Sequence, residues 1–306
     1  MKHESIKENK IFGEGKDSSL KAPIILLIVT IGLCSFQLAY SSFYSYLEYS
    51  IFFLAFFCIG IPHGAVDHLL ETGKLNTGLS YNYILSYLAV VFLFFILWQF
   101  FPNVSLIIFL IFSTIHFGQT DMKEWFPNLT GQYKNLFWGS LVLGIILFGH
   151  LSEVNVILEN MQVFRIPLIT NEGVYFALSC GILASIWAAY NRSQPMAIST
   201  MVLILSIYLP LLSSFGLYFL GQHSVNAWSH LRQVIHSENL ALFLKALPMT
   251  IGALVLFLIL LVLMRINVVD ISSTGWVTTF FVFVSCISLP HALAMNGFYR
   301  KHFKDN

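Results

Sequence analysis

Long apolar runs separated by short polar ones dominate this chain, and the runs have the length of helices that cross a bilayer. A span needs roughly 20 mainly apolar residues. Stretches of about that size stand at 22–42, 50–71, 82–101, 104–121, 134–151, 173–190, 196–213, 214–236, 247–265 and 275–297. They predict an all-α, polytopic membrane helix bundle of about ten transmembrane helices, one integral-membrane domain over residues 22–306 behind a polar tail of residues 1–21. With so many polar residues ahead of it, the first apolar run is expected to stay as a helix instead of being cleaved as a signal peptide. Only "LLSSFG" separates the seventh and eighth runs. Residues 151–172 are too mixed to span and are expected at the surface, partly helical.

Composition agrees with the pattern. Of the 306 residues 57% are hydrophobic and 10% charged, with a mean hydropathy of +0.76, whereas soluble domains carry about 25% charged residues. The net charge of +1 excludes nucleic acid as an expected partner. Cys34, Cys58, Cys180 and Cys286 lie inside apolar runs without Cys-x-x-Cys spacing, as buried small hydrophobes do. If the tail is cytoplasmic and the chain alternates through ten spans, all 16 Lys and Arg except Arg165 and Arg265 fall on the cytoplasmic side. That bias predicts both termini inside, in a multi-pass protein of a bacterial inner membrane.

Against this background the histidines stand out. His3 and His302 belong to tails, and His150 and His236 to span ends. His63, His68, His116, His223, His230 and His291 lie within the second, fourth, eighth and tenth spans, which all run from outside to inside. Counted along each helix at 1.5 Å per residue, they occupy related depths, from the bilayer middle to its cytoplasmic half. Ionisable residues inside a membrane face the bundle interior and mark function by default. Several have polar companions at helical spacing: His63 with Asp67 in "PHGAVDH", His116 with Gln119 and Asp121 in "IHFGQTD", and His223 with Asn226 and His230 in "GQHSVNAWSHL". Pro62 precedes His63 and Pro290 precedes His291, so each helix is loosened one turn back.

Neutral imidazole is a ligand for iron, copper and zinc alike. No thiolate accompanies these histidines, and carboxylates are too sparse for a carboxylate-bridged pair of irons. A single Fe(II) held by histidines is the economical reading, with Asp67, Gln119 and Asp121 accepting the other ring N–H groups. The competing readings are a haem-binding electron carrier, in which histidines of two helices clamp the iron, and a proton or metal transporter using the histidines with Asp67 and Asp121 as a relay. The 29 Phe, 13 Tyr and 6 Trp are what packed and lipid-facing helices contain.

"GIPHGAVDHLL", "IHFGQTD", "LYFLGQHSVNAWSHL" and the late "LPH" resemble the Brp/Blh-type bacterial β-carotene 15,15′-dioxygenases, from about residue 50 to residue 300. The resemblance implies a polytopic membrane enzyme that cleaves β-carotene with O2 at its central double bond into two retinal molecules. It implies His63, His116 and His223 as iron ligands. This chain departs from the family where a second histidine usually follows four residues after the one matching His223, because that position is Ala227. His230 is the nearest replacement, about 10 Å further along the axis. The expected ligand set is therefore His63, His116, His223 and His230, with Asp67, Asp121, Gln119 and His291 as supporting groups. His291 as fourth ligand, or a set of three, is the alternative. Phe117, Tyr218, Phe219 and Trp228 are expected walls for the polyene, because they neighbour the histidines in sequence. The altered segment leaves another carotenoid or apolar lipid open as substrate. Besides O2 and membrane lipid, a retinal-binding rhodopsin is the partner that such a product implies.

Overall fold

A computed structural model describes residues 18–70, 80–127, 131–266 and 273–302; most of the expected N-terminal tail lies outside them. Every regular element among the described residues is helical: α1 (Ser18–Ala39), α2 (Ser41–Ala55), α3 (Ile61–Gly64), α4 (Tyr81–Phe100), α5 (Pro102–Trp125), α6 (Gln132–Gly149), α7 (Leu151–Asn160), α8 (Thr170–Tyr190), α9 (Gln194–Ser206), α10 (Leu211–Tyr218), α11 (Ser224–Ile235), α12 (Asn239–Ile266) and α13 (Ser273–His302). Two π turns, Phe56–Gly60 and Phe219–His223, join α2 to α3 and α10 to α11, and a short 3-10 turn follows at Asp67–Leu69.

Seven helices among the described residues are long and apolar enough to span: Leu20–Ala39, Ser41–Leu69, Tyr81–Phe100, Pro102–Trp125, Thr170–Tyr190, Asn239–Val262 and Val277–His302. Three expected spans are built differently. α6 continues into α7 through an 88° bend, so α7 crosses the bundle instead of extending it; this is the segment expected to be partly helical. α9 has 13 residues, about 20 Å of helix against a hydrocarbon core of roughly 30 Å. The stretch 214–236 is divided by the second π turn, and its far half, α11, is polar along one side.

The packing that matters for the site centres on α5 and α13. α5 starts with Pro102 at its first position, where a missing N–H is harmless. It meets α6 backbone to backbone: a Cβ on Gly118 would stand 1.8 Å from the Asn135 carbonyl oxygen, and one on Gly139 would stand 1.8 Å from that of Thr114. Small residues of this kind let helices approach where lipid supplies no hydrophobic drive. α13 is pinned to α4 by two long-range bonds, Trp98 Nε1 to Ser285 Oγ at 2.7 Å and the Tyr87 hydroxyl to the Ile287 carbonyl at 2.9 Å. The second reaches the turn that precedes Pro290, one residue on from the Cys286 carbonyl that the proline leaves without its N–H partner. The largest buried cluster, with Phe56, Trp138, Phe280 and Phe283 at its heart, fills the space between these helices.

Candidate metal centre

Four helical segments each deliver one histidine to the bundle interior. His116 lies two-thirds along α5, and His291 follows Pro290 in α13. His63 sits in α3 directly after the first π turn, and His223 closes the second. A π turn carries one extra residue and so rotates the face that the next side chains present; such turns occur frequently at functional sites. The two π turns pack on each other, and a Cβ on Gly60 would come within 2.9 to 3.1 Å of Phe56, Leu220 and Phe219.

The four imidazoles form a closed circuit. Ring centroids are 5.5 Å apart for His63 and His223, 4.6 Å for His223 and His116, 4.8 Å for His116 and His291, and 4.9 Å for His291 and His63. Neighbouring planes stand at 76 to 85° to each other. Nitrogens of His63, His116 and His291 lie within 4.8 Å of one another. Two nitrogens on opposite sides of one ion, each at about 2.1 Å, would be about 4.2 Å apart, so little movement would close the set. All four residues are buried. Yet both ring nitrogens of His63, His116 and His223, and Nε2 of His291, make no hydrogen bond. The Ile59 and Gly60 carbonyls lie near the His63 ring without reaching hydrogen-bond geometry. Buried polar atoms are nearly always paired, since an unpaired one costs about 1–3 kcal/mol. The orphan nitrogens of His63, His116 and His291 converge as a metal-binding set does, the His223 ring stands at the edge of that group, 4.6 Å from the His116 ring, and the residues fit a histidine-ligated ion.

His291 also shows which nitrogen is available. Its Nδ1 is 2.8 and 3.0 Å from the two carboxylate oxygens of Asp67. A carboxylate accepts, so Nδ1 carries the proton and Nε2 keeps its lone pair, directed away from Asp67. This is the carboxylate–histidine pairing that fixes tautomer and raises ligand basicity in metal sites. Gly64 makes room for it, since a Cβ there would lie 3.2 Å from Nδ1 of His291. A cavity of about 410 Å³ opens beside the rings, with His63, His116, His291 and Asp67 in a wall otherwise made mainly of Phe, Leu, Ile, Val and Ala.

The family model for beta-carotene 15,15'-dioxygenase matches residues 54–299, which contain all four histidines. The chain belongs to the beta-carotene 15,15'-dioxygenase family. It is also similar to a protein named beta-carotene 15,15'-dioxygenase from an uncultured marine bacterium, 66A03, with 24% identity over 259 residues that cover 80% of this chain and 91% of the relative. No solved structure matches. At this identity it is a divergent member of the beta-carotene 15,15'-dioxygenase family.

Within this family member the structure brings some expected site residues together and holds others apart. His63, His116 and His223 meet, and the fourth ring of the circuit is His291. His230 stays away, with Nδ1 2.9 Å from the Tyr299 hydroxyl and Nε2 2.8 Å from Glu124. Seven residues of α11 carry it about 10 Å down the helix from His223. Asp67 does pair with a histidine, but with His291 instead of His63, because α3 ends at Gly64 and the chain turns at Ala65 and Val66 before the 3-10 turn that starts at Asp67. Asp121 touches no histidine. Its Oδ2 accepts from Trp138 Nε1 at 2.8 Å, the Tyr218 hydroxyl at 3.0 Å and Gln222 Nε2 at 2.8 Å, tying α5 to both ends of the second π turn. Gln119 donates to Asn296 Oδ1 at 3.4 Å. Among the expected walls, Phe117 and Phe219 line the cavity, Tyr218 faces Asp121, and Trp228 bonds Asn239 at 3.2 Å. His68 lines the cavity near Tyr83 but stands outside the circuit. Sequence reasoning passed over Gly64 and the Tyr87 contact; their only signals were a glycine next to a motif histidine and a tyrosine within a span.

Proposed function

We propose that this protein is a membrane non-haem iron dioxygenase that cleaves β-carotene at its central double bond with O2, giving two molecules of retinal. The observation that carries this reading is the circuit of four buried imidazoles with unpaired nitrogens beside an apolar cavity, in a chain of the beta-carotene 15,15'-dioxygenase family. His63, His116, His223 and His291 would hold Fe(II), which when bound supplies an open position for O2 and its activation. The chain does the rest. Asp67 holds the proton on Nδ1 of His291 and keeps Nε2 turned to the centre. Asp121 sets the separation of α5 from the π turn that presents His223. Phe117, Phe219, Phe112 and Leu256 supply dispersion contacts along an apolar rod and keep its double bond at one place beside the centre, and such positioning accounts for much of an enzyme's rate. The same walls exclude water.

The geometry disfavours a haem clamp. Two axial histidines need the plane between them free for the macrocycle, and here the other two rings stand in that plane. A different carotenoid on the same centre remains a question of cavity shape. We place the chain in the bacterial inner membrane with both termini cytoplasmic, which takes an even number of crossings: the seven long helices and the bent α6–α7 pair counted as an eighth; a retinal-binding rhodopsin is the natural recipient of the product. The test is aerobic incubation of purified, Fe(II)-loaded protein with β-carotene, followed by chromatography. Two retinals per carotene are expected. Well-folded, iron-loaded protein that yields none from β-carotene overturns the substrate assignment, and cleavage of another carotenoid in the same panel would replace it.

A further inference from the structure

The cavity beside the histidines is bounded on one side by two helices that, among the described residues, share little or no contact. α4 contributes Ile84, Tyr87 and Leu88 to its wall, and α12 contributes Gly252, Val255 and Ile259. Both helices pack on α13, but among the described residues they do not pack along one another. The wall residues at this gap are also surface residues: Leu88, Val255 and Ile259 keep 48%, 48% and 49% of their area exposed. All three lie well inside helices that are long and apolar enough to span, so the surface they share with the cavity is at the depth of lipid tails. A Cβ on Gly252 would meet nothing within 4 Å, so the gap has free space where α12 faces it.

We infer that the gap between α4 and α12, at Leu88, Gly252, Val255 and Ile259, is a lateral portal through which a linear apolar polyene passes from the bilayer core to the histidine centre. The inference rests on the proposed substrate class. A polyene dissolved in lipid that reached this cavity from an aqueous end would have to leave hydrocarbon for water, at about 25 cal/mol for each Å² exposed. Sideways passage between two apolar helices exposes none of it. The chain gives the route no polar lining at the surface side, since Leu, Gly, Val and Ile form its edges.

Gly252→Trp would put an indole into the gap from a position where an added Cβ meets nothing within 4 Å, and Leu88→Trp would narrow it from the other helix. Metal-free protein, prepared in cells that make β-carotene, is assayed for carotene retained per chain; iron-loaded protein is assayed for iron content and turnover. Both substitutions are expected to lower carotene uptake and turnover at low substrate by about tenfold, through slower association, at unchanged iron content. Gly32→Trp is the matched control, because Gly32 also has nothing within 4 Å of an added Cβ and lies outside the cavity wall; it should leave every readout at the wild-type level. If a Trp variant loses iron binding, Leu88→Ala with Ile259→Ala decides instead: a wider gap should speed uptake severalfold, and an unchanged rate rejects the portal. Wild-type uptake by Gly252→Trp and Leu88→Trp overturns the portal alone. Wild-type protein that holds iron but takes up no carotene overturns the substrate reading, and the portal with it.

Discussion

Two groups of buried polar side chains are strung along the same three stretches of chain, from adjacent to about two turns apart, and they are built in opposite ways. His116, His223 and His291 belong to the first, together with His63; their neighbours Asp121, Gln222, His230 and Tyr299 belong to the second. In the second group most polar atoms find one another: three donors converge on Oδ2 of Asp121, leaving only its Oδ1 without a partner, His230 bonds Tyr299 and Glu124, and Tyr299 reaches Thr120 Oγ1 at 3.4 Å. In the first, the imidazole nitrogens face each other without a donor–acceptor match. The two are comparably buried, so burial does not distinguish them. Pairing does. A largely paired network rigidifies the helices that carry it, whereas a convergent set of unpaired imidazoles is costly unless something else completes it.

The sharpest way to break this comparison is to remove a ring from the first group. His63→Ala, His116→Ala, His223→Ala or His291→Ala should reduce iron per chain and retinal formation by more than about a hundredfold, beyond the range for losing a residue that only orients a ligand. Elemental analysis and product chromatography check it, and normal iron in the His291 variant would return the fourth position to His230. Asp67→Asn comes next. Replacing the carboxylate that holds Nδ1–H of His291 should weaken iron binding about 10–100-fold, measured by competition with a chelator. Gly118→Ala acts more indirectly: the added Cβ drives α5 and α6 apart next to His116, and overpacking of this kind costs about 1–3 kcal/mol. The expected result is a lower melting temperature with partial loss of iron. The smallest effect on the metal belongs to His230→Ala. Iron should stay at the wild-type level while stability falls by about 1–3 kcal/mol, because Glu124 and Tyr299 lose a buried partner. Thermal unfolding beside elemental analysis separates those two readouts.

How far the site was legible can be read from single residues. Being ionisable groups inside runs that lipid chemistry would keep apolar marked six histidines, and the resemblance to a known family, not hydropathy, singled out His63, His116 and His223 among them. The choice between His230 and His291 was not legible. His223 and His230 are spaced as neighbours on one helix face, but His223 closes the π turn and His230 lies in α11; periodicity reports a shared face without reporting that seven residues of rise keep the two from one centre. The pairing of Asp67 with His291 joins residues 224 apart in the chain, and no local spacing encodes it. The i, i+4 rule linked Asp67 to His63 on the assumption of an unbroken α-helix, which ends at Gly64. Asp121 was noticed for its charge, but its partners Trp138, Tyr218 and Gln222 come from two other segments.

Hydropathy is a sum over neighbours in the chain, and for that reason the sequence by itself determined that this is a helical membrane protein with histidines buried in its spans, and the family to which it is related. Which rings close on one point depends on helix phase and on how near two backbones can come. Those were decided by the two π turns, by Gly118 and Gly139 at the α5–α6 contact, and by the packing of α13 against α4, all of which exist only once the helices are assembled. The same is true of the span count: a run of apolar residues states that a segment prefers lipid, and only the folded chain shows where that segment bends by 88° or stops after 13 residues.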